Sequence, residues 1–157
     1  MLVNRPVILI SCGMTPFAQK VGKSIKDFEV VFVSSDPLPL PLQNHPQYRP
    51  LPAINSSIYV HEVLKLCLDL NAVAYLPLNL QEAKKLVDAT LLFEEYGIRI
   101  WTNTDLSDDH IWQEIPPSKQ CDWTLVTNSN TIDQQAFVLG VVSKGLQGQS
   151  LSCFACP

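Results

Sequence analysis

Between residues 6 and 102, short apolar runs free of breakers alternate with amphipathic segments, and this alternation restricts the chain to few folds. The runs lie at 6–11, 29–34, 72–76 and 98–102. An unbroken apolar run suits a strand covered on both faces, as in a parallel sheet. The segment EVVFVS at 29–34 is the clearest of them, being β-branched and aromatic. Between the runs, Thr15 followed by Pro16 opens a helix with Phe17, Val21 and Ile25 on one face. A Thr cap with Pro in the first helical position is a common helix start. Ser56 or Ser57 caps a second helix reaching Leu70, whose Val60, Val63, Leu64 and Cys67 follow the i, i+3, i+4, i+7 spacing of a core-facing stripe. Asn79, with Glu82 three residues on, has the spacing of a capping box, and the helix it opens runs through Ala83, Leu86, Val87 and Leu91. Gly97 ends that helix in the left-handed C-terminal position.

Prolines set the rest of this region. Pro37, Pro39 and Pro41 predict an extended surface loop, because proline lacks the N–H that a helix interior or central strand needs. Pro50 and Pro52 confine 48–52 to a short edge strand. Strands alternating with helices give a parallel sheet of about five strands, helices on both faces and right-handed crossovers.

The last third reads differently. Residues 105–114 are polar around Ile111 and Trp112, which points to one or two helical turns. Residues 123–127, 136–143 and 150–155 read as strands, and the turn formers at 128–130 and 145–148 make them antiparallel hairpins. The run at 136–143 is too short for periodicity to separate strand from helix. The expected organisation is an α/β domain over 1–104 and a strand-rich extension over 105–157, packed on that domain or on a partner subunit. At 157 residues, the length matches one domain.

Apolar residues at 46% and charged residues at 17% exclude a disordered chain. A net charge of −4 argues against nucleic acid or an anionic membrane surface as partner. No apolar stretch reaches the ~18 residues of a membrane span, and the run at 7–10 is too short for a signal-peptide core. Five cysteines, an odd number at irregular spacing, do not form a secreted disulfide framework, so a reduced, cytoplasmic setting is expected.

The order of motifs in 6–102 resembles the domain that precedes the ATP-grasp fold in carboxylate–amine ligases and carbamoyl-phosphate-synthase-like enzymes. The pieces are VILISCGMTP; the strand tail Ser34-Ser35-Asp36-Pro37; Pro52 followed by a helix Y-x-x-x-x-L-x-x-C from Tyr59; AVAYLPLNLQEAKKL; and LFEEYGIRIW. They cover about two-thirds of the chain. The resemblance implies a three-layer Rossmann-like sheet that contributes part of a carboxylate-substrate or effector site. The partner ATP-grasp region, which holds ATP and magnesium, is not matched. Only 55 residues follow Thr102, without a phosphate-clamp loop or a late Glu-x-Asn pair, and the last acid is Asp133. The expectation is therefore a non-catalytic module that binds a small carboxylate or nucleotide or another protein, with a second copy or a separate ATP-grasp chain as partner; the alternatives are the substrate-side subunit of a split ATP-grasp ligase and a nucleotide- or dinucleotide-binding oxidoreductase-like protein.

In sheets of this kind ligands sit beyond the carboxyl ends of the strands, near helix N-termini. Cys12, Gly13, Met14 and Thr15 form the turn after the first strand, Asp36 ends the second, and Asn79 opens the helix after a later one; these are the candidate ligand contacts. No nicotinamide cofactor is expected, because a dinucleotide loop uses three glycines and this turn has Gly13 alone, crowded by Met14, Pro16 and Phe17. Asp36 stands where such folds place a ribose-binding acid, although Asp-Pro is also a common turn opener. Cys12 precedes a helix N-terminus, which favours a thiolate, but none of His45, His61 and His110 has a local pattern that places it as a base. Cys12 therefore reads as a small buried residue and no catalytic residue is assigned. One C-x-x-C, Cys153 and Cys156, falls short of the four ligands of structural zinc, and Cys121 and His110 have no fixed relation to it, so no metal is expected. Trp101, Trp112 and Trp123 lack interleaved basic residues and read as core or interface anchors.

Overall fold

The computed structural model describes residues 4–102 and, beyond them, the strands at 112–114, 123–126, 140–143 and 153–155. The first region is a Rossmann-like α/β unit. Its elements are β1 (Val7–Ile10), α1 (Pro16–Ser24), β2 (Glu29–Ser34), α2 (Leu40–Gln43), β3 (Tyr48–Pro50), α3 (Tyr59–Asp69), β4 (Ala72–Leu76), α4 (Leu80–Val87), α5 (Thr90–Glu95) and β5 (Arg99–Ile100). The five strands form one all-parallel sheet in the order β3-β2-β1-β4-β5.

Side-chain alternation along the central strands fills both faces of this sheet. Leu9, Val31, Val33 and Tyr75 join α3, α4 and α5 through Val63, Cys67, Leu86 and Phe93. Ile8, Ile10, Phe32, Ala74 and Leu76 point the other way, onto Ala18 and Val21 of α1 and onto Trp101. Trp101 is the core anchor its sequence context predicts, edge-on to Phe28 at 5.4 Å. An irregularity opposite Val7 and Ile8 pairs these neighbours with Ala72 and Ala74, and the skipped Val73 turns out to solvent.

Several boundaries differ from expectation, each for a local reason. The proline-rich segment is not wholly extended, since Leu40–Gln43 forms a short helix with Pro41 in its first turn. There the missing N–H has no helical partner to lose. Neither Ser56 nor Ser57 is the cap of α3: Ile58 holds that position without a side-chain bond, while the Ser56 hydroxyl accepts from the Ile58 N–H at 3.4 Å. The helix expected to run continuously from Asn79 to Gly97 is two, because the chain turns at 88–89, where the Thr90 hydroxyl donates to the Val87 carbonyl at 2.8 Å. Gly97 does adopt the left-handed conformation, at φ +74°. β3 is the predicted edge strand, and β5 is shorter than the run at 98–102.

The strand-rich extension is present. β6 (Trp112–Glu114), β7 (Trp123–Val126), β8 (Gly140–Ser143) and β9 (Cys153–Ala155) form a second sheet in the order β6-β9-β8-β7. β7 and β9 each pair antiparallel with β8, as the hairpin reading requires, and β6 pairs parallel with β9. The helical turns expected at 105–114 are replaced at 112–114 by strand, where pairing with β9 overrides a weak local preference. His110, Cys121 and Cys156 lie outside the described residues. No helix among the described residues is long and apolar enough to cross a membrane.

Candidate functional site

The connections leaving β1 run to β2 and β3 on one side of the sheet, and β4 and β5 lie on the other. At the carboxyl ends of these strands such a reversal leaves a crevice. A cleft of about 200 Å³ occupies that place, lined by Ser11 and Cys12 after β1, Val33 to Asp36 at the end of β2, Leu51 and Ile54 after β3, and Asn79 and Glu82 after β4. Met14, Thr15 and Tyr59 complete its wall.

Five of the six residues singled out in the sequence, Cys12, Met14, Thr15, Asp36 and Asn79, meet in this cleft. Gly13 does not. It is buried under β2, with its N–H donated to the Val33 carbonyl at 2.9 Å, and an added Cβ would lie 2.6 Å from Phe32 Cβ. Gly13 is thus a close-packing glycine, and its amide is not offered to a ligand. Cys12 is also not the buried residue expected: it is half-buried, lines the cleft and takes φ 54°, a left-handed conformation uncommon outside glycine. Its carbonyl accepts from both the Thr15 N–H (2.9 Å) and the Thr15 hydroxyl (2.8 Å), bonds that close this turn.

The N-termini of α1 and α4 at the cleft are capped by side chains of the chain itself. Thr15 Oγ1 accepts from the Ala18 N–H at 3.2 Å, and Asn79 Oδ1 accepts from Gln81 and Glu82 N–H at 2.9 and 3.2 Å. Asp36 is exposed at the rim, on a loop held by its own N–H donating to Ser34 Oγ (3.1 Å) and by Ser35 Oγ donating to the Pro52 carbonyl (2.8 Å). Lys85 braces the opposite side: its ammonium donates to the carbonyls of Ile54 and Ser56 and lies 5.9 Å from the centre of the Tyr59 ring.

Glu82 lies beneath the cleft. Only one half of the predicted capping box forms, because the Glu82 side chain turns inward and is 1% exposed. Its Oε1 accepts from the hydroxyls of both Tyr59 and Tyr75. Ser11, which accepts the Leu78 N–H at 2.7 Å, also hydrogen-bonds the carboxyl. Burial raises the Glu82 pKa, and the hydroxyls of Ser11, Tyr59 and Tyr75 hold it back in part. Burial, and then the charge of Glu82, raise both tyrosines as well. The shared direction favours the proton-bearing forms, which gives the cleft a floor of hydrogen-bonding groups.

Tyr59, Glu82 and Ser11 are the residues that motif spacing did not single out for the site. One signal was present: Glu82 stands at helical spacing from Leu86 and next to Ala83, so the acid falls on the helix face that carries the core. Of the histidines, His45 and His61 do not line the cleft. Among the described residues no group of three or more His, Cys, Asp or Glu is placed to hold a metal, and Cys67 is a free thiol. Burial pushes the Cys67 thiol up to about 12, so it is inert.

No protein-family model matches this chain, and a search of curated proteins returns no match.

Proposed function

We propose that the chain is a small-ligand-binding module of the pre-ATP-grasp kind, acting by binding rather than by catalysis, with the cleft at the carboxyl ends of β1, β2 and β4 as its site. One observation carries this reading. Residues far apart in sequence, Cys12, Thr15, Asp36 and Asn79, converge on one crevice whose floor is the buried Tyr59–Glu82 pair. A polar network of this kind under an open cleft is what a ligand-orienting site requires. The parallel sheet order is consistent with the resemblance seen in the motifs, and the ligase lineage is an inference from those motifs. A cleft of about 200 Å³ is below the ~300–1,000 Å³ of sites for drug-sized ligands, which favours a compact molecule over a whole dinucleotide.

The test is a thermal-shift screen of the full chain against small carboxylates, amines, nucleosides and nucleotides, with ATP and magnesium also assayed for hydrolysis. A ligand present at 100 times its Kd stabilises the folded state by about 2.7 kcal/mol. A hit whose shift is lost in Asn79→Asp or Ser34→Ala supports the reading. A blank screen, or ATP turnover by the chain, overturns it.

A further inference from the structure

The lining of the cleft narrows the chemistry of its occupant; this step rests on the cleft being the binding site proposed above. A phosphate or carboxylate needs cationic side chains or free helix-terminal amides. Among the described residues no Lys, Arg or His lines the cleft. Lys85, which lies against the Tyr59 ring, is turned to the carbonyls of Ile54 and Ser56. Several amides around the cleft are engaged within the chain: Gly13 N–H with Val33, Thr15 N–H with Cys12, Ala18 N–H with Thr15, and Gln81 and Glu82 N–H with Asn79. The acidic groups of the lining are Asp36 at the open rim and Glu82 at the floor. The lining also includes the apolar side chains of Val33, Leu51 and Ile54.

We propose that the cleft receives a small organic ammonium ion, its charge set against the Asp36 carboxylate and its apolar body against Val33, Leu51 and Ile54. The carboxylate or nucleotide implied by the motif resemblance would bring a negative charge to a lining in which, among the described residues, no side chain is cationic. Asp36 stands on a loop pinned at Ser34 and Ser35, so an ammonium group meets an acid already held in place. The Asn79 side-chain amide nitrogen and the Tyr59–Glu82 floor supply hydrogen bonds to any further polar group of the ligand.

The experiment is a titration of the full, isotope-labelled chain with four probes of comparable size: propylammonium, propanol, propionate and inorganic phosphate. Amide signals of Ser34, Ser35 and Asn79 are followed by NMR. Propylammonium is expected to shift them with at least tenfold tighter binding than propanol, Asp36→Asn to remove that preference, and Asp36→Glu to keep it. Three results overturn the ligand class while leaving the cleft as a binding site: tighter binding of propionate or phosphate, equal binding of propylammonium and propanol, or an ammonium preference that survives in Asp36→Asn. If no probe moves these amides, this inference fails; the broader thermal-shift screen then decides separately whether the cleft binds anything.

Discussion

The hydroxyl of Tyr59, the first residue of α3, donates to Oε1 of Glu82 in the first turn of α4, 23 positions later, and both side chains are buried. Tyr75 from β4 donates to the same oxygen. Two helices and a strand are thereby joined through one carboxyl oxygen at the base of the cleft.

This arrangement fixes a pH dependence. The pKa of Glu82 is raised in the folded chain above its ordinary 4.5. The group then contributes its full stability below about pH 4.5 and loses it as pH rises towards the folded value, at up to ~1.4 kcal/mol per pH unit. Glu82→Gln removes this titration. Urea unfolding at pH 5, 6 and 7 is expected to show the wild-type advantage over Glu82→Gln shrinking with pH. An advantage that stays constant, or grows, means that the acid is not held in its protonated form.

Gly13 and Gly22 both press on Phe32, but their alanine variants are expected to differ. At Gly13 a new Cβ would stand 2.6 Å from Phe32 Cβ and 3.2 Å from Val33 N and O, none of which can swing aside. Gly13→Ala should cost about 1–3 kcal/mol. At Gly22 the contact is with the tip of the Phe32 ring, and alanine gains about 1 kcal/mol of helix propensity. Gly22→Ala should therefore cost less, and equilibrium unfolding of the two variants checks the order.

At Cys12 the usual ranking of alanine over glycine should reverse. A residue with a Cβ held at φ 54° pays about 1–2 kcal/mol of steric strain that glycine avoids. Cys12→Gly is expected to be more stable than Cys12→Ala by about 1 kcal/mol in chemical denaturation. Equal stabilities would show that the backbone relaxes at this position.

Asn79 serves both the fold and the cleft. Asn79→Ala removes the acceptor for the Gln81 and Glu82 N–H groups and should cost about 1 kcal/mol, while Asn79→Asp keeps the acceptor and adds a charge suited to a helix N-terminus. Thermal unfolding is expected to rank Asp at or above Asn, with Ala lowest. A destabilised Asn79→Asp would mean that the amide nitrogen, not the cap, is the important group.

The sheet was legible because β1, β2 and β4 are buried on both faces, which requires unbroken apolar runs, and because prolines mark the edge at β3. The cap residues Thr15 and Asn79 were legible for a related reason: their bonds span only two or three positions. The Glu82 side chain, though not its N–H, was misread as reaching back to Asn79, because motif spacing carries only local neighbours, and Tyr59 and Ser11 reach it from 23 and 71 positions away. The turn between α4 and α5 was missed because Ala83, Leu86, Val87 and Leu91 keep helical spacing across a break that the Thr90 hydroxyl and the Ala89 N–H close. Gly13 carried the right position and the wrong role, since a close approach by β2 cannot be told from a ligand approach without the third dimension.

β1 has a further consequence. Its four residues send Leu9 into one hydrophobic layer and Ile8 and Ile10 into the other. Neither layer can loosen without disturbing the segment it shares with its neighbour, so the two halves are bound into a single cooperative unit. The floor of the cleft begins at Ser11, one peptide beyond that segment. Its geometry is thus inherited from a central strand buried on both faces, away from the local fraying that edges and chain ends undergo.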